Sequence, residues 1–344
     1  MKNQMDVEEI NHHIYRRTNK IKNKKETTKT IKKYNLISIN NINVYKRLLS
    51  FSNYKTHFYI FETYNTNLTI LNYDNDGNII NKTNKDNMVN FEYIEYKKIN
   101  VFSYIFNVKE EKKAILIILE TYKFLLKTLD ILNQLNIYVN LTKEKIIIQE
   151  NIFSPLIYEI EGSLLIDYLK NENYKKLLLN IHFDIEMPFE LFIIKNISES
   201  NLAPGVTGEF LELNEIEEIS NNFLNNIKCL FEFYKDTGFC MSSFSLQCNT
   251  FLLQYQSKPK KEIICDLLKS IHKWDNYRIS IIYLIIIKNV ANKFKMKTLF
   301  INNLLSFLFS HIIIHPSNRV PVKNTILMFN NLIDTNIDWD FTQE

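Results

Sequence analysis

The segment that decides the fold is Trp274–Leu284, WDNYRISIIYL, which opens with polar residues and then becomes almost wholly apolar. The apolar run Ile279–Ile287 is much shorter than the ~20 residues that a membrane-spanning helix needs. A second apolar run, Leu299–Ile314, is interrupted by asparagine, serine and histidine side chains. Both runs therefore predict helices that are buried in a protein core. The short segment His315–Arg319, HPSNR, directly follows the second run.

The rest of the chain predicts a small mixed unit followed by a larger, mainly helical one. Residues 35–98 show one helical pattern and three strand patterns, which lie at Ile37–Phe51, His57–Glu62, Asn67–Tyr73 and Phe91–Lys97. Apolar residues at helical spacing over Lys112–Leu135 predict a long helix. Two short strands are predicted at Ile146–Ile148 and Leu156–Ile160, with a loop between them, and helices are predicted after Pro188.

Three further segments follow the long helix in a fixed order. Asn136–Ile148 is NIYVNLTKEKIII, which predicts a loop that enters the first short strand. Pro155–Gly162 is PLIYEIEG and contains the second strand. Met187–Glu190 is MPFE, which predicts the start of a helix.

In this order the quoted segments resemble the C-lobe of protein kinases, in the divergent form found in large DNA viruses. The resemblance covers roughly residues 91–333. It implies an α+β, two-lobed protein-kinase-like fold with a reduced N-lobe and a mainly helical C-lobe. The implied domains are a basic, disordered tail at 1–34, a small α+β N-lobe at 35–98, and a C-lobe at 99–344 with a long helical insert at about 198–272.

The resemblance places altered residue types at four positions of the catalytic loop. Tyr138 stands where the family has histidine, and Asn140 stands where it has the catalytic aspartate. Thr142 replaces the lysine, and Lys145 replaces the metal-binding asparagine. Phosphoryl transfer needs Mg²⁺ held by oxygen ligands and an acceptor for the hydroxyl proton. Because an amide accepts that proton poorly and a lysine repels the cation, we expect no functioning catalytic residue.

The D-F-G motif that would hold the metal is altered as well. Gly162 matches its glycine, which places Ile160 at the metal-binding aspartate, although the loop spacing leaves Glu159 or Glu161 open. The chain has only 5 glycines, and none of them forms a phosphate-cradling G-x-G-x-x-G loop. No cofactor is therefore expected, and ATP with Mg²⁺ belongs only to the alternative of an active kinase.

The structural frame of the family is kept. Glu190 matches the P-E helix start, and the resemblance implies that it pairs with Arg319 of the last helix. Asp275, next to Trp274, matches the aspartate that hydrogen-bonds the catalytic-loop backbone from the buried helix. In both uses a buried carboxylate is satisfied by a cation or by N–H donors.

A competing match to the catalytic loop lies at His182–Glu186, which imitates it better than residues 138–142 do. Glu186 stands at the lysine there, Phe189 stands at the asparagine, and no hairpin follows, so we predict no catalytic loop at this place. The four cysteines form no C-x-x-C pair, and the histidines have no ligand partners at suitable spacing. No metal site is therefore predicted.

Charge and composition bear on the location of the protein and on its possible anionic partners. The net charge is +4, and the basic excess lies in residues 1–34, which leaves weak contact with nucleic acid or another anion open. The polar N-terminus lacks a signal-peptide pattern and predicts an intracellular, reducing location, in the host cytoplasm or the virion. No membrane span is expected.

The preferred interpretation is a pseudokinase that acts as a binding or scaffold module for another protein, either an active kinase or a virion component. Two alternatives stay open. One is an active Ser/Thr kinase with a rearranged site. The other is a virion structural protein, a minor capsid or packaged protein that uses the fold only as a surface.

Overall fold

The chain divides into two compact units, Met1–Ile99 with Ile147–Ser163, and Asn100–Ile146 with Leu164–Glu344. The computed structural model describes residues 14–17, 29–34, 39–59, 63–65, 69–73, 79–84, 89–94, 98–149, 152–158, 160, 163–169, 174, 178, 183–200, 209–232 and 241–335.

In its described residues, the first unit carries antiparallel sheets and two helices. A four-stranded sheet has the order β1-β2-β6-β3, and a separate pair consists of β4 and β5. The strands are β1 Ile14–Arg17, β2 Lys29–Tyr34, β3 Thr63–Asn65, β4 Thr69–Tyr73, β5 Ile79–Asn84 and β6 Val89–Ile94. The helices are α1 Ile39–Ser50 and α2 Tyr54–His57.

Strands β1 and β2 fall within residues 1–34, the segment predicted as a basic, disordered tail. They pair antiparallel, from Ile14 opposite Lys32 to Arg17 opposite Lys29. Ile14 and Ile31 belong to the β-branched residues that favour strands.

A second sheet of the first unit has the order β10-β9-β7, with β7 at Lys98–Asn100, β9 at Ile146–Gln149 and β10 at Ile152–Ile157. The strand predicted at Leu156–Ile160 thus begins and ends earlier than expected. Pro155, which had been assigned to the connecting loop, lies inside β10. An edge strand tolerates proline because its outer N–H positions need no partner in the sheet.

The strand predicted at His57–Glu62 is also corrected within the described part of the chain. Tyr54–His57 is a short helix, and Phe58 forms an isolated parallel bridge with Ile157. Phe58 is buried, so its apolar character reflects the core of the first unit. Residues 60–62 lie outside the described residues.

The second unit is built mainly from helices. These are α3 Val101–Asn107, α4 Glu111–Gln134, α5 Phe189–Ser200, α6 Leu213–Glu232, α7 Met241–Leu253, α8 Lys260–Leu268, α9 Trp274–Phe294, α10 Leu299–Ile313 and α11 Val322–Asp334. Strand β8, Ile137–Tyr138, pairs antiparallel with β11, Leu164–Leu165. Helices α6, α7 and α8 occupy most of the segment predicted as a helical insert.

Helix α9 forms the centre of the second unit. Every residue from Trp274 to Leu284 is buried, so this part of the helix has no polar face. Its Tyr283 ring packs on Tyr122 of α4 with centroids 4.9 Å apart, and Tyr122 packs on Phe329 of α11 at the same distance. Fully burying one such apolar side chain contributes ~1.5–3 kcal/mol, so this helix is a main source of stability. Among the helices in the described part of the chain, none has the length and apolar character needed to cross a membrane.

Candidate functional site

Asp275 holds the loop that follows β8. Its Oδ1 accepts a hydrogen bond from the Leu141 amide at 2.7 Å, and its Oδ2 accepts one from the Val139 amide at 3.2 Å. Asn140 lies between these two amides with φ 54°, in the left-handed region that asparagine tolerates better than most residues. Burial raises the pKa of Asp275, whereas the two amide donors and the nearby Arg278 lower it. The structure therefore brings Asp275 to the loop that the resemblance assigned to it.

Two cations bind the carbonyl side of the same loop. The Lys145 ammonium donates to the carbonyl oxygens of Val139 at 2.8 Å and Asn140 at 3.1 Å. The Arg278 guanidinium donates through Nη1 to the Leu141 carbonyl at 3.5 Å. Backbone groups of three successive residues are thus bonded to side chains of this chain, and these bonds fix the shape of the loop.

The side chains at the remaining loop positions are also used within the protein. The Tyr138 hydroxyl donates to Asn140 Oδ1 at 3.0 Å, so the residue at the catalytic-aspartate position accepts a bond from the residue at the histidine position. The Tyr138 ring packs edge-on against Trp274 with centroids 5.6 Å apart. Burial raises the pKa of Tyr138, which keeps its hydroxyl protonated as a donor. Thr142 is partly buried and precedes the short 3₁₀ turn Lys143–Lys145.

Glu190 and Arg319 form a buried ion pair. Arg319 Nη1 donates to Glu190 Oε2 at 2.5 Å, and both side chains are at most 5% exposed. The Arg319 guanidinium also lies 4.6 Å from the centroid of the Tyr277 ring. Ser270 accepts from Trp274 Nε1 at 3.2 Å, and its hydroxyl lies 3.5 Å from Glu190 Oε1. The four residues predicted as structural are Asp275, Glu190, Arg319 and Trp274. All four therefore make contacts that lie near one another in the second unit.

The position predicted for the metal-binding aspartate contributes no oxygen ligand from its side chain. Ile160 is buried, and its carbonyl accepts from the Ser163 amide at 2.9 Å. Gly162, Glu159 and Glu161 lie outside the described residues. Across the described ranges, no group of three or more His, Cys, Asp or Glu residues is arranged to hold a metal ion.

A cleft of about 440 Å³ lies in the second unit, beside the 3₁₀ turn that ends the loop. It is lined by Asn100, Phe102, Lys143, Glu144, Ile185, Glu186, Ile285 and Asn289. Glu186 is 7% exposed, and burial raises its pKa to about 7. This carboxyl was considered in the sequence only as part of the competing match at His182–Glu186. The cleft combines apolar walls with one buried and one exposed carboxyl group.

Arg278 was not singled out by the sequence, although it lies within the segment that decides the fold. Its side chain is fully buried, and its Nε and Nη2 atoms have no hydrogen-bond partner among the described residues. Its Nη1 atom lies 3.8 Å from Asp184 Oδ1. A charged residue three positions after Asp275 in an otherwise apolar run is the signal that could have marked it, because charged residues are rarely buried without a partner.

No protein-family model matches this chain. No curated protein matches it. A solved structure described as the autoinhibited serine kinase domain of the giant muscle protein titin is similar over 92% of this chain and 75% of that chain, with 10% sequence identity and a TM-score of 0.38.

Proposed function

We propose that this protein is a kinase-like binding module that does not transfer phosphoryl groups. The observation that carries the proposal is the position of Lys145, whose ammonium is bonded to two carbonyls of the loop. In the family that the sequence resembles, an asparagine that binds Mg²⁺ stands at this position. An ammonium and a divalent cation ~4 Å apart repel each other by several kcal/mol at an intermediate dielectric.

The other loop contacts support the same proposal. A catalytic base must be free to accept a proton from the attacking hydroxyl. Asn140 has no carboxylate, and its Oδ1 already accepts from the Tyr138 hydroxyl. The backbone around it is bonded to Asp275, Lys145 and Arg278. These contacts suit a loop that is kept for its shape.

We place the contact with a protein partner at the cleft beside this loop. Ile185, Ile285 and Phe102 supply apolar walls, and Glu144 adds an exposed carboxylate at the side. Clefts with apolar walls and a few polar groups are the usual form of a binding site. A scaffold or virion component could be recognised there without any chemical step.

The test is a phosphorylation assay with labelled ATP and Mg²⁺, paired with a thermal-shift measurement of nucleotide binding. We expect no label on the protein itself or on generic protein substrates. A nucleotide bound at ~100 times its Kd would stabilise the protein by ~2.7 kcal/mol, so tight binding would be visible as a higher melting temperature. Mg²⁺-dependent labelling that disappears in Asn140→Ala would favour the active-kinase alternative.

A further inference from the structure

The guanidinium of Arg278 has unused hydrogen-bonding capacity inside the second unit. Its Nε and Nη2 atoms are buried without a partner among the described residues. Its Nη1 atom makes a long contact with the Leu141 carbonyl at 3.5 Å and a 3.8 Å ion pair with Asp184 Oδ1, and the Tyr138 hydroxyl and the Asp275 carboxylate also interact with the guanidinium. That Asp184 oxygen is itself buried and has no hydrogen-bond partner in the described part of the chain. Buried donors and acceptors of charged groups are costly to leave unbonded, so the arrangement favours any carboxylate that can approach.

The turn Asp184–Met187 carries such a carboxylate close to Arg278. The turn is closed by a hydrogen bond from the Met187 amide to the Asp184 carbonyl at 3.2 Å, and its Asp184 end is held by Asn226 Nδ2, which donates to the same carbonyl at 2.7 Å. Glu186 lies between Asp184 and Met187, is almost fully buried, and makes no hydrogen bond or ion pair with the described residues. It forms part of the wall of the cleft together with Ile185.

The charged groups that surround Glu186 come from three places in the second unit. Asp184 belongs to the same turn, Lys143 and Glu144 of the 3₁₀ turn line the same cleft, and Arg278 of α9, which lies 3.8 Å from Asp184 Oδ1, acts on Glu186 electrostatically. Burial raises the pKa of Glu186 to about 7, with Arg278 opposing that effect and Asp184 adding to it. Both the protonated and the ionised form are therefore accessible near neutral pH.

We propose that the turn Asp184–Met187 is a proton-controlled latch, open in the described conformation with Glu186 protonated and closed on Arg278 when Glu186 is ionised. In the closed form the Glu186 carboxylate accepts from Nε and Nη2, which present two parallel N–H groups to one carboxylate. Asp184 keeps its place beside Nη1, since a guanidinium has five N–H donors. Closing removes the Glu186 side chain from the wall of the cleft and changes the cleft's shape and charge. The latch rests on these contacts alone and does not depend on the absence of phosphoryl transfer.

The test uses the whole protein labelled with ¹⁵N in its arginine side chains, which number five: Arg16, Arg17, Arg47, Arg278 and Arg319. The Nε–H signal of each is followed by NMR over roughly one and a half pH units on either side of 7. The Arg278 signal is expected to shift as the pH rises through about 7, and its hydrogen exchange, divided by the rate of an unprotected guanidinium at the same pH, is expected to slow by about tenfold or more. The Arg319 signal serves as an internal control, because Arg319 is already paired with Glu190 and should stay unchanged.

Two variants separate the latch from a general effect of pH. In Glu186→Gln the Arg278 transition should be lost, with the signal kept at its low-pH position. In Glu144→Gln, which changes the exposed carboxyl of the same cleft, the transition should persist. An Arg278 signal that is constant with pH in the wild-type protein, or a transition that persists in Glu186→Gln, would overturn the proposal.

Discussion

Asp275 and Leu141 are 134 positions apart in the chain and are joined by a 2.7 Å hydrogen bond from the Leu141 amide to the buried Asp275 carboxylate. This bond belongs to an arrangement in which an anion binds the N–H groups of one loop, and two cations bind its C=O groups. Lys145 and Arg278 are the two cations. Asp275, Lys145 and Arg278 each interact with the backbone of the loop and with the opposite charge. Removing one of these side chains therefore leaves the charges of the others partly uncompensated.

The first prediction concerns Asp275. Asp275→Ala leaves the amides of Val139 and Leu141 without their acceptor, and each buried orphan donor costs ~1–3 kcal/mol. We expect the free energy of unfolding to fall by ~2–5 kcal/mol, measured by urea denaturation. Asp275→Asn keeps one carbonyl acceptor and should lose less. Equal losses in the two variants would show that the hydrogen bonds to the loop matter little.

The second prediction concerns the ion pair of Glu190 and Arg319. Removing one partner of a buried pair leaves an uncompensated charge, so Glu190→Gln and Arg319→Met should each cost ~3–5 kcal/mol. The double variant should lose clearly less than the sum of the two single losses, as measured in a double-mutant cycle. Lys269→Met serves as a control, because its pair with Asp266 is exposed and should hardly affect the melting temperature. Additive losses for Glu190 and Arg319 would mean that the two side chains are not coupled.

The third prediction concerns Lys145. Lys145→Met removes both hydrogen bonds to the carbonyls of Val139 and Asn140, and should lower the free energy of unfolding by ~1–3 kcal/mol. Lys143→Met is the matched control, since Lys143 is two residues away and its side chain is 55% exposed. That variant should keep the wild-type denaturation midpoint. The loop contact is refuted as a stabilising feature if both variants behave alike.

The helices of the second unit could be predicted largely from local pattern. Lys112–Leu135 was expected from its apolar spacing, and the helix spans Glu111–Gln134. The two apolar runs after Trp274 form the buried helices α9 and α10. Strand boundaries in the first unit were less accurate, as Pro155 shows, because whether a proline lies at a sheet edge depends on which strands pair. Pairing between distant strands leaves no local signal in a single chain.

The candidate site could be predicted only where a residue matched an expected position. The sequence predicts roles for Glu190, Arg319 and Asp275 because each fills a place in the order of segments that the resemblance gives. The roles of Arg278 and Glu186 could not be derived in the same way. Their properties arise from burial beside other charged groups, and burial of a charged side chain runs against its usual preference. Such neighbours come together only when the turn at Asp184 folds near α9.

The fourth prediction concerns the pH dependence of stability at Glu186. Burial raises its pKa from 4.5 to about 7, so the folded protein keeps this proton over a range in which the unfolded chain has lost it. That stabilising contribution is complete below pH ~4.5 and is lost as the pH rises through about 7. Glu186→Gln removes the loss, and should be more stable than the wild type by up to ~3 kcal/mol at pH ~8, with little difference at pH ~4. Urea denaturation at the two pH values checks this, and a Gln variant that is less stable at high pH would contradict it.

The fifth prediction concerns His311, which acts in the opposite direction. The ring is buried, its Nε2 has no hydrogen-bond partner among the described residues, and burial lowers its pKa from 6.5 to about 4, with Arg319 adding to the effect. Between these values the unfolded chain binds a proton that the folded protein excludes, so stability falls as the pH drops from about 6.5 to about 4. The contribution is at most ~3 kcal/mol.

His311→Gln should remove this part of the acid sensitivity, because a glutamine stays neutral over the whole range. The difference in unfolding free energy between wild type and variant is measured from pH ~4 to pH ~7.5, which cancels the titration of distant groups such as Glu186. The variant should gain on the wild type as the pH falls, with most of the change below pH ~6.5. A difference that does not vary with pH would mean that His311 is protonated equally well in the folded and unfolded protein, and that its burial beside Arg319 carries no electrostatic cost.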